Sequence, residues 1–310
     1  QLSCVGLVVL IFYNVCGGPF GSEEAVRAAG PLYALSGFVV FPVLWSLPQA
    51  FLTAELATAF PDDSGYVGWV TAAFGPFWGF IQGVLALICG AVDNAVYPAL
   101  FVAYLKFGLC DLQLHEDLES SYCPVLEDRV GGMLPSLHTL IVLISSGLLS
   151  YLNWRGLELV GRVATCLTVF MLLPFGLLVL VGLPHVDPAR WLNTKPLGHH
   201  PGLKGWTGRG RGRRTMGYDW MTYLNVLFWN LNYWDSASTL AGEVDNPKKS
   251  FPRALRWAVL LVTLTYMLPM AVSIAALPPG QSWDTGFFVR AGQLLGGTWL
   301  QAWILASAAV

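Results

Sequence analysis

Residues 228–238 read Phe-Trp-Asn-Leu-Asn-Tyr-Trp-Asp-Ser-Ala-Ser, and residues 16–21 read Cys-Gly-Gly-Pro-Phe-Gly. Both sit inside stretches that are otherwise apolar. Three glycines and a proline in one short run should break a helix, because glycine carries an entropic cost and proline lacks a donor and clashes. The other run puts two Asn, an Asp and two Ser among Phe, Leu and Trp. Polar groups and irregular backbone at membrane depth are tolerated only where they line a cavity or a protein interior. We therefore expect two interrupted spans, one near Gly17 to Gly21 and one near Asn232 to Asp235, meeting across one cavity.

Working outward, eight long stretches contain no Asp, Glu, Lys or Arg: 1–22, 28–54, 64–92, 130–154, 163–184, 220–234, 257–283 and 291–310. A helix needs about 20 apolar residues to cross a bilayer. Only the sixth stretch is short, and it stops at Asp235. Of the 310 residues, 55% are hydrophobic and 12% charged, about half the usual charged share. Mean hydropathy is +0.57. A disordered chain is excluded, since it needs low hydrophobicity and high charge. We expect an all-α polytopic membrane protein forming a single transporter domain over 1–310. Its spans should lie near 3–30, 32–58, 70–105, 133–153, 157–183, 219–242, 255–278 and 287–310. The chain opens and closes inside apolar runs without an initiator Met, so we read it as part of a longer protein. The first run lacks the charged leader and cleavage site of a signal peptide.

The net charge of −2 gives no basic field for nucleic acid. The Gly/Arg run with Arg209, Arg211, Arg213 and Arg214 is short, and no nucleic-acid partner is expected from it. Six cysteines form no Cys-x-x-Cys pair, so no metal site is expected, although Cys110 and Cys123 share a loop and are a possible disulfide. There is no His-Glu-x-x-His, Gly-x-Ser-x-Gly or phosphate loop, hence no enzyme and no cofactor are expected. Basic residues in the short loops (Arg155 and Arg162; Lys248, Lys249, Arg253 and Arg256) place those loops on the cytoplasmic side. The arginines of the long 185–217 loop conflict with that choice, and long loops weigh little in it.

Two breaks five spans apart match inverted-repeat transporters, which place discontinuous helices at corresponding positions of two halves with substrate between them. Phe12-Tyr-Asn-Val-Cys-Gly-Gly-Pro-Phe-Gly21 resembles the first span of amino acid–polyamine–organocation (APC) transporters. Thr53-Ala-Glu-Leu-Ala-Thr-Ala-Phe-Pro61 with Ser64-Gly-Tyr66 resembles the end of their second span. Asn232-Tyr-Trp-Asp-Ser-Ala-Ser-Thr-Leu-Ala-Gly-Glu-Val-Asp-Asn-Pro247 resembles the plant-type polyamine uptake and L-type amino acid transporter branch. The resemblance covers nearly all the chain outside the 3–4 and 5–6 loops. It implies a five-plus-five inverted-repeat, LeuT-like fold of twelve spans, of which about eight are present. It also implies import of polyamines or amino acids, usually with protons, at the plasma membrane. Several proton-coupled relatives carry a lysine in span 5; that position falls near Met171 here, and the span has no lysine.

The expected substrate-binding residues are Gly17, Gly18 and Gly21, for backbone N–H groups at the break. Asp93, Asn94 and Tyr97 follow in span 3, where Tyr97 shares a face with Asp93. Asn232, Tyr233, Trp234 and Asp235 complete the set, the aromatics offering faces to a cation. Asp93, Asp235 and Glu23 are the proton-coupling candidates, an ionisable residue in a span being functional by default. Glu23 has two readings, stabilising the positive start of a half-helix or attracting an amine. Asp235 is also a good helix cap. Carboxylates without basic neighbours rank polyamine above cationic amino acid as substrate. A neutral L-amino acid carrier and a non-transporting nutrient sensor remain the alternatives. The bilayer and a coupling proton are the other expected partners.

Overall fold

The computed structural model describes residues 4–106, 136–196, 217–244 and 246–308, in which every element is a helix. The possible Cys110–Cys123 disulfide and the Gly/Arg run lie outside those residues. The expected all-helical, polytopic architecture is what the chain adopts.

Helix α1 (Cys4–Val15) stops where Gly17, Gly18 and Pro19 follow, and α2 (Glu23–Ala29) resumes beyond the break. Gly30, with φ +87°, ends α2, and Pro31 starts α3 (Pro31–Phe41). A π-helical turn (Pro42–Ser46) joins α3 to α4 (Leu47–Ala59), so the second span is helical throughout despite its prolines. Next come α5 (Gly65–Phe74), α6 (Pro76–Lys106), α7 (Leu137–Arg155) and α8 (Leu157–Gly182). Helix α9 (Trp220–Leu231) gives way to a 3-10 segment (Trp234–Glu243), and α10 (Pro247–Ala276), α11 (Phe287–Gly296) and α12 (Thr298–Ala308) follow.

Two apolar stretches prove to be helix pairs. The span expected from residue 70 is α5 and α6, parted by Gly75 at φ +93° and Pro76. Glycine is the residue of choice just past a helix end and proline just inside the next start. The segment 287–310 is divided in the same way by Gly297, at φ +83°.

Among the described residues, five helical stretches are long and apolar enough to cross a membrane: Pro31–Ala59, Pro76–Ala99, Leu137–Arg155, Glu158–His185 and Pro247–Ala276. At 12 residues each, α1 and α9 reach about 18 Å, a little over half of a roughly 30 Å hydrocarbon layer. Their crossings need the pieces beyond the breaks.

Helix α10 is the hub, packing on α1, α3, α4 and α8. Its inward face carries small residues, with Ala254, Ala258 and Val262 fully buried. Small side chains let helices approach closely where lipid supplies no hydrophobic drive. Gly182 of α8 shows how closely: a Cβ there would lie 2.3 Å from Val272 Cγ1 of α10. At the periphery the pattern inverts. Leu87, Ile144 and Trp154 of α6 and α7 are 74%, 68% and 79% exposed, an apolar surface that suits hydrocarbon and would be a liability in water.

Candidate functional site

The first break is built from backbone. Gly18 (φ +101°) and Gly21 (φ +83°) adopt conformations that a Cβ disfavours. Ser22 caps the turn, its hydroxyl donating to the Pro19 carbonyl at 2.6 Å. Phe20 anchors the loop between the rings of Tyr104 on α6 and Phe175 on α8, at 5.1 and 5.2 Å. Met171 of α8 closes it from below, with its sulfur 3.0 Å from where a Cβ on Gly18 would lie. The position expected to replace a lysine is therefore a buried thioether in contact with the break. Gly17 is exposed, with open space around it.

Side chains build the second break. Asn232 is extended and Tyr233 is left-handed, with φ +69°. A non-glycine residue there costs about 1–3 kcal/mol and persists only when its surroundings hold it. They do. Ser46 Oγ and Trp234 Nε1 both donate to the Leu231 carbonyl, at 2.7 and 2.9 Å. Trp45 Nε1 donates to Asn232 Oδ1 at 3.0 Å, and Ser236 Oγ donates to the Tyr233 carbonyl at 2.6 Å. Gln49 Nε2 donates to Asp235 Oδ1 at 3.4 Å.

The two breaks are neighbours: a Cβ on Gly21 would lie 3.9 Å from Asn230 Oδ1, just before the second break. Around them the candidate residues sort into two groups. Asp93 and Tyr97 of α6 lie within electrostatic reach of Tyr233, which also senses Asp235. Pro98, inside α6, has no N–H for the Asn94 carbonyl that would otherwise accept from it, so this stretch also offers a freed backbone oxygen. Asn94 itself is exposed. Glu23 lies in the other group, near Tyr104 and Tyr266. Tyr266 of α10 also senses Tyr97 and thus stands between the groups.

Two expectations change. Trp234 was expected to offer its face to a cation, yet its ring is fully buried in the core and its N–H is spent on the Leu231 carbonyl. Tyr233, forced left-handed, is instead the exposed ring of the pair. Glu23 starts the half-helix α2 as expected, but neither of its two readings foresaw that it is 1% exposed with no hydrogen-bond partner for either carboxylate oxygen among the described residues. Sequence reasoning also missed Arg27 of α2, which reaches Glu24 at 3.0 Å and Asp284 at 2.8 Å. The second contact spans 257 positions, so no local pattern announces it. No cluster of His, Cys, Asp and Glu suited to a metal occurs among the described residues.

Comparison with known proteins adds a family and a direction. Residues 2–310 match the amino acid permease family. The chain is 44% identical over 310 residues to the polyamine transporter RMV1 of Arabidopsis thaliana, covering 100% of this chain and 56% of that protein. It is 45% identical over 310 residues to the polyamine transporter PUT1 of Oryza sativa subsp. japonica, covering 100% and 51%. A more distant similarity, 26% over 259 residues, is to the lysine-specific permease LysP of Lactococcus lactis subsp. cremoris, covering 83% and 46%. The chain spans about half the length of these relatives.

Proposed function

The chain belongs to the amino acid permease family of integral membrane proteins, and from that premise we propose that the whole protein is a secondary transporter importing polyamines with protons by alternating access. The observation that carries the substrate class is the charge around the breaks. Asp93 and Asp235 face the Tyr97–Tyr233 region, and 4–21 and 220–238 contain no Lys or Arg. Carboxylates drawn partly out of water are costly unless something positive or a proton meets them. A polyamine supplies that charge without adding a carboxylate of its own. The similarity to proteins named polyamine transporters supports this reading. The lysine-specific relative supports a cationic amino acid as the second choice.

On this reading the site comprises the N–H groups around Gly17, Gly18 and Gly21 together with Asp93, Asn94, Tyr97, Asn232, Tyr233 and Asp235. Trp234 supports it from the core. The 155–157 and 244–247 connections face the cytoplasm, and the connections after α2, α8 and α10 face outward. The five-plus-five repeat is completed by spans beyond residue 310, and the membrane is the plasma membrane. With Met171 near the position where several proton-coupled relatives carry a lysine, the proton would ride on a carboxylate.

Uptake of labelled spermidine, arginine and leucine by the complete protein in vesicles, with and without an inward proton gradient, tests the proposal. Spermidine should be taken up best and the gradient should stimulate it. Leucine uptake exceeding spermidine uptake would replace the reading with a neutral carrier, and no uptake of any of the three would favour a sensor.

A further inference from the structure

Glu23 is the first residue of α2, and its surroundings explain why it is unlike a solvated helix-start acid. The N–H groups of Gly21, of Glu23 itself and of Gly286, just before α11, lie close by but outside hydrogen-bonding geometry. The titratable groups facing it are Glu24 on its own helix, Tyr104 from α6 and Tyr266 from α10. None of these is a cation. Arg27, one turn along, is committed to Glu24 and Asp284. An ionised carboxylate in such a place is costly, whereas the neutral acid fits.

Glu23 is covered by α6, α10 and the approach to α11, and α2 with the turn after it is held in that place by three segments at one end of the molecule. Arg27 holds Asp284 in the connection before α11. The Ala28 carbonyl accepts from Asp219 N at 3.0 Å, at the start of α9. Leu32 N donates to the Asn193 carbonyl at 3.0 Å, and Gly30 lies so close to the Thr194 and Lys195 carbonyls that a Cβ would meet both at 2.7 Å. In the orientation proposed above this is the outer end. Moving α2 off these segments, about the glycine-rich break behind it, would admit water to the carboxyl.

We propose that Glu23 carries the coupling proton: the acid form permits α2 to dock and close the outer end, and the carboxylate form favours its release. Two states that differ in the hydration of one acid must differ in proton binding, so proton and closure are linked reciprocally. The proton enters from the outer solution, forming an O–H bond on a Glu23 carboxylate oxygen, and that bond breaks again when the site opens inward and the proton passes to water there. This rests on the transport reading above, but only in part, since closure linked to Glu23 does not depend on which substrate moves.

The test uses the full-length protein in proteoliposomes and the Glu23→Gln variant, which mimics the acid form in shape. Stimulation of labelled spermidine uptake by an inward proton gradient should fall at least about fivefold, the lower end of usual coupling strengths. Spermidine exchange at equal pH should survive. Persistent gradient stimulation would overturn the proposal. Loss of exchange as well, in a variant with wild-type thermal stability, would also overturn it, by making Glu23 an amine contact. A second readout needs no substrate. A Gln281→Cys reporter, on the groove lined by Arg190 and Trp283, should label faster with a polar maleimide as the outer pH is raised, after every rate is divided by that of a free small thiol at the same pH to remove the thiolate effect and the background of the native cysteines is subtracted. The same reporter combined with Glu23→Gln should lose that pH dependence. Labelling that ignores pH when Glu23 is intact would overturn the proposal even if spermidine moves. PH-dependent, Glu23-dependent labelling without spermidine uptake would leave Glu23 standing and remove the substrate assignment.

Discussion

The two interrupted spans reach the same end by opposite means. In the first, glycines accept unusual backbone angles, with Ser22 and Phe20 steadying the turn; the acid beside them, Glu23, has no hydrogen-bond partner among the described residues. In the second, a tyrosine is held left-handed, and the Leu231 and Tyr233 carbonyls and the Asn232 and Asp235 side chains are met by side chains from α4, the π turn or the 3-10 segment itself. One break is cheap in backbone energy and expensive in electrostatics. The other is strained in backbone and well satisfied in hydrogen bonds. The lesson is a division of labour: a satisfied, braced break suits a fixed scaffold for the site, while an unsatisfied, glycine-hinged one suits the element that moves.

Four substitutions break or sharpen that contrast. The largest effect belongs to Trp234→Ala, which empties a fully buried ring position and unpairs one donor to the Leu231 carbonyl. Thermal or denaturant unfolding of the purified protein should show a loss of about 3–5 kcal/mol. Gly18→Ala comes next, because φ +101° and the Met171 sulfur both oppose the added methyl. We expect about 1–3 kcal/mol of destabilisation, with transport slowed more than binding if the first break is the hinge; equal changes in both would make it a fixed element too. Asp235→Asn should lower spermidine uptake about tenfold, the scale of 1.4 kcal/mol, and leucine uptake much less. Equal losses would mean that Asp235 braces the break through Gln49 and does not read charge. Ser46→Ala removes one of two donors to the Leu231 carbonyl and should cost about 1 kcal/mol of stability. A cost near zero would show that Trp234 suffices.

Much of this architecture is legible in the residues. The charge gaps mark the apolar segments, and Gly-Gly-Pro and Asn-Tyr-Trp-Asp mark the interruptions, because the physics that breaks a helix is local. Gly75-Pro76 and Gly297 are equally local, yet counting uncharged residues passes over them, since neither carries a charge. That is why α5 with α6, and α11 with α12, were each read as one span. The site is less legible. Whether an acid at a helix start is solvated or sealed depends on what lands on it, and Glu23 is sealed by chain from α6, α10 and the approach to α11. The same holds for Trp234, whose polar neighbours suggested a cavity wall and whose ring turned into the core instead.

The π turn at Pro42–Ser46 has a consequence for how this protein tolerates change in length. A π turn holds one residue more than the α-helical path through the same span. Here it brings Trp45 and Ser46 onto the second break, where they grip Asn232 and the Leu231 carbonyl. Deleting any one of the five residues would let α3 run into α4 as a plain α-helix with little net rotation between them, but would remove the wide turn that sets Trp45 and Ser46 in alignment with the second break. Chemically conservative substitutions leave that alignment intact. A single-codon deletion does not, so the spacing between Phe41 and Leu47 constrains this segment as firmly as the side chains it presents.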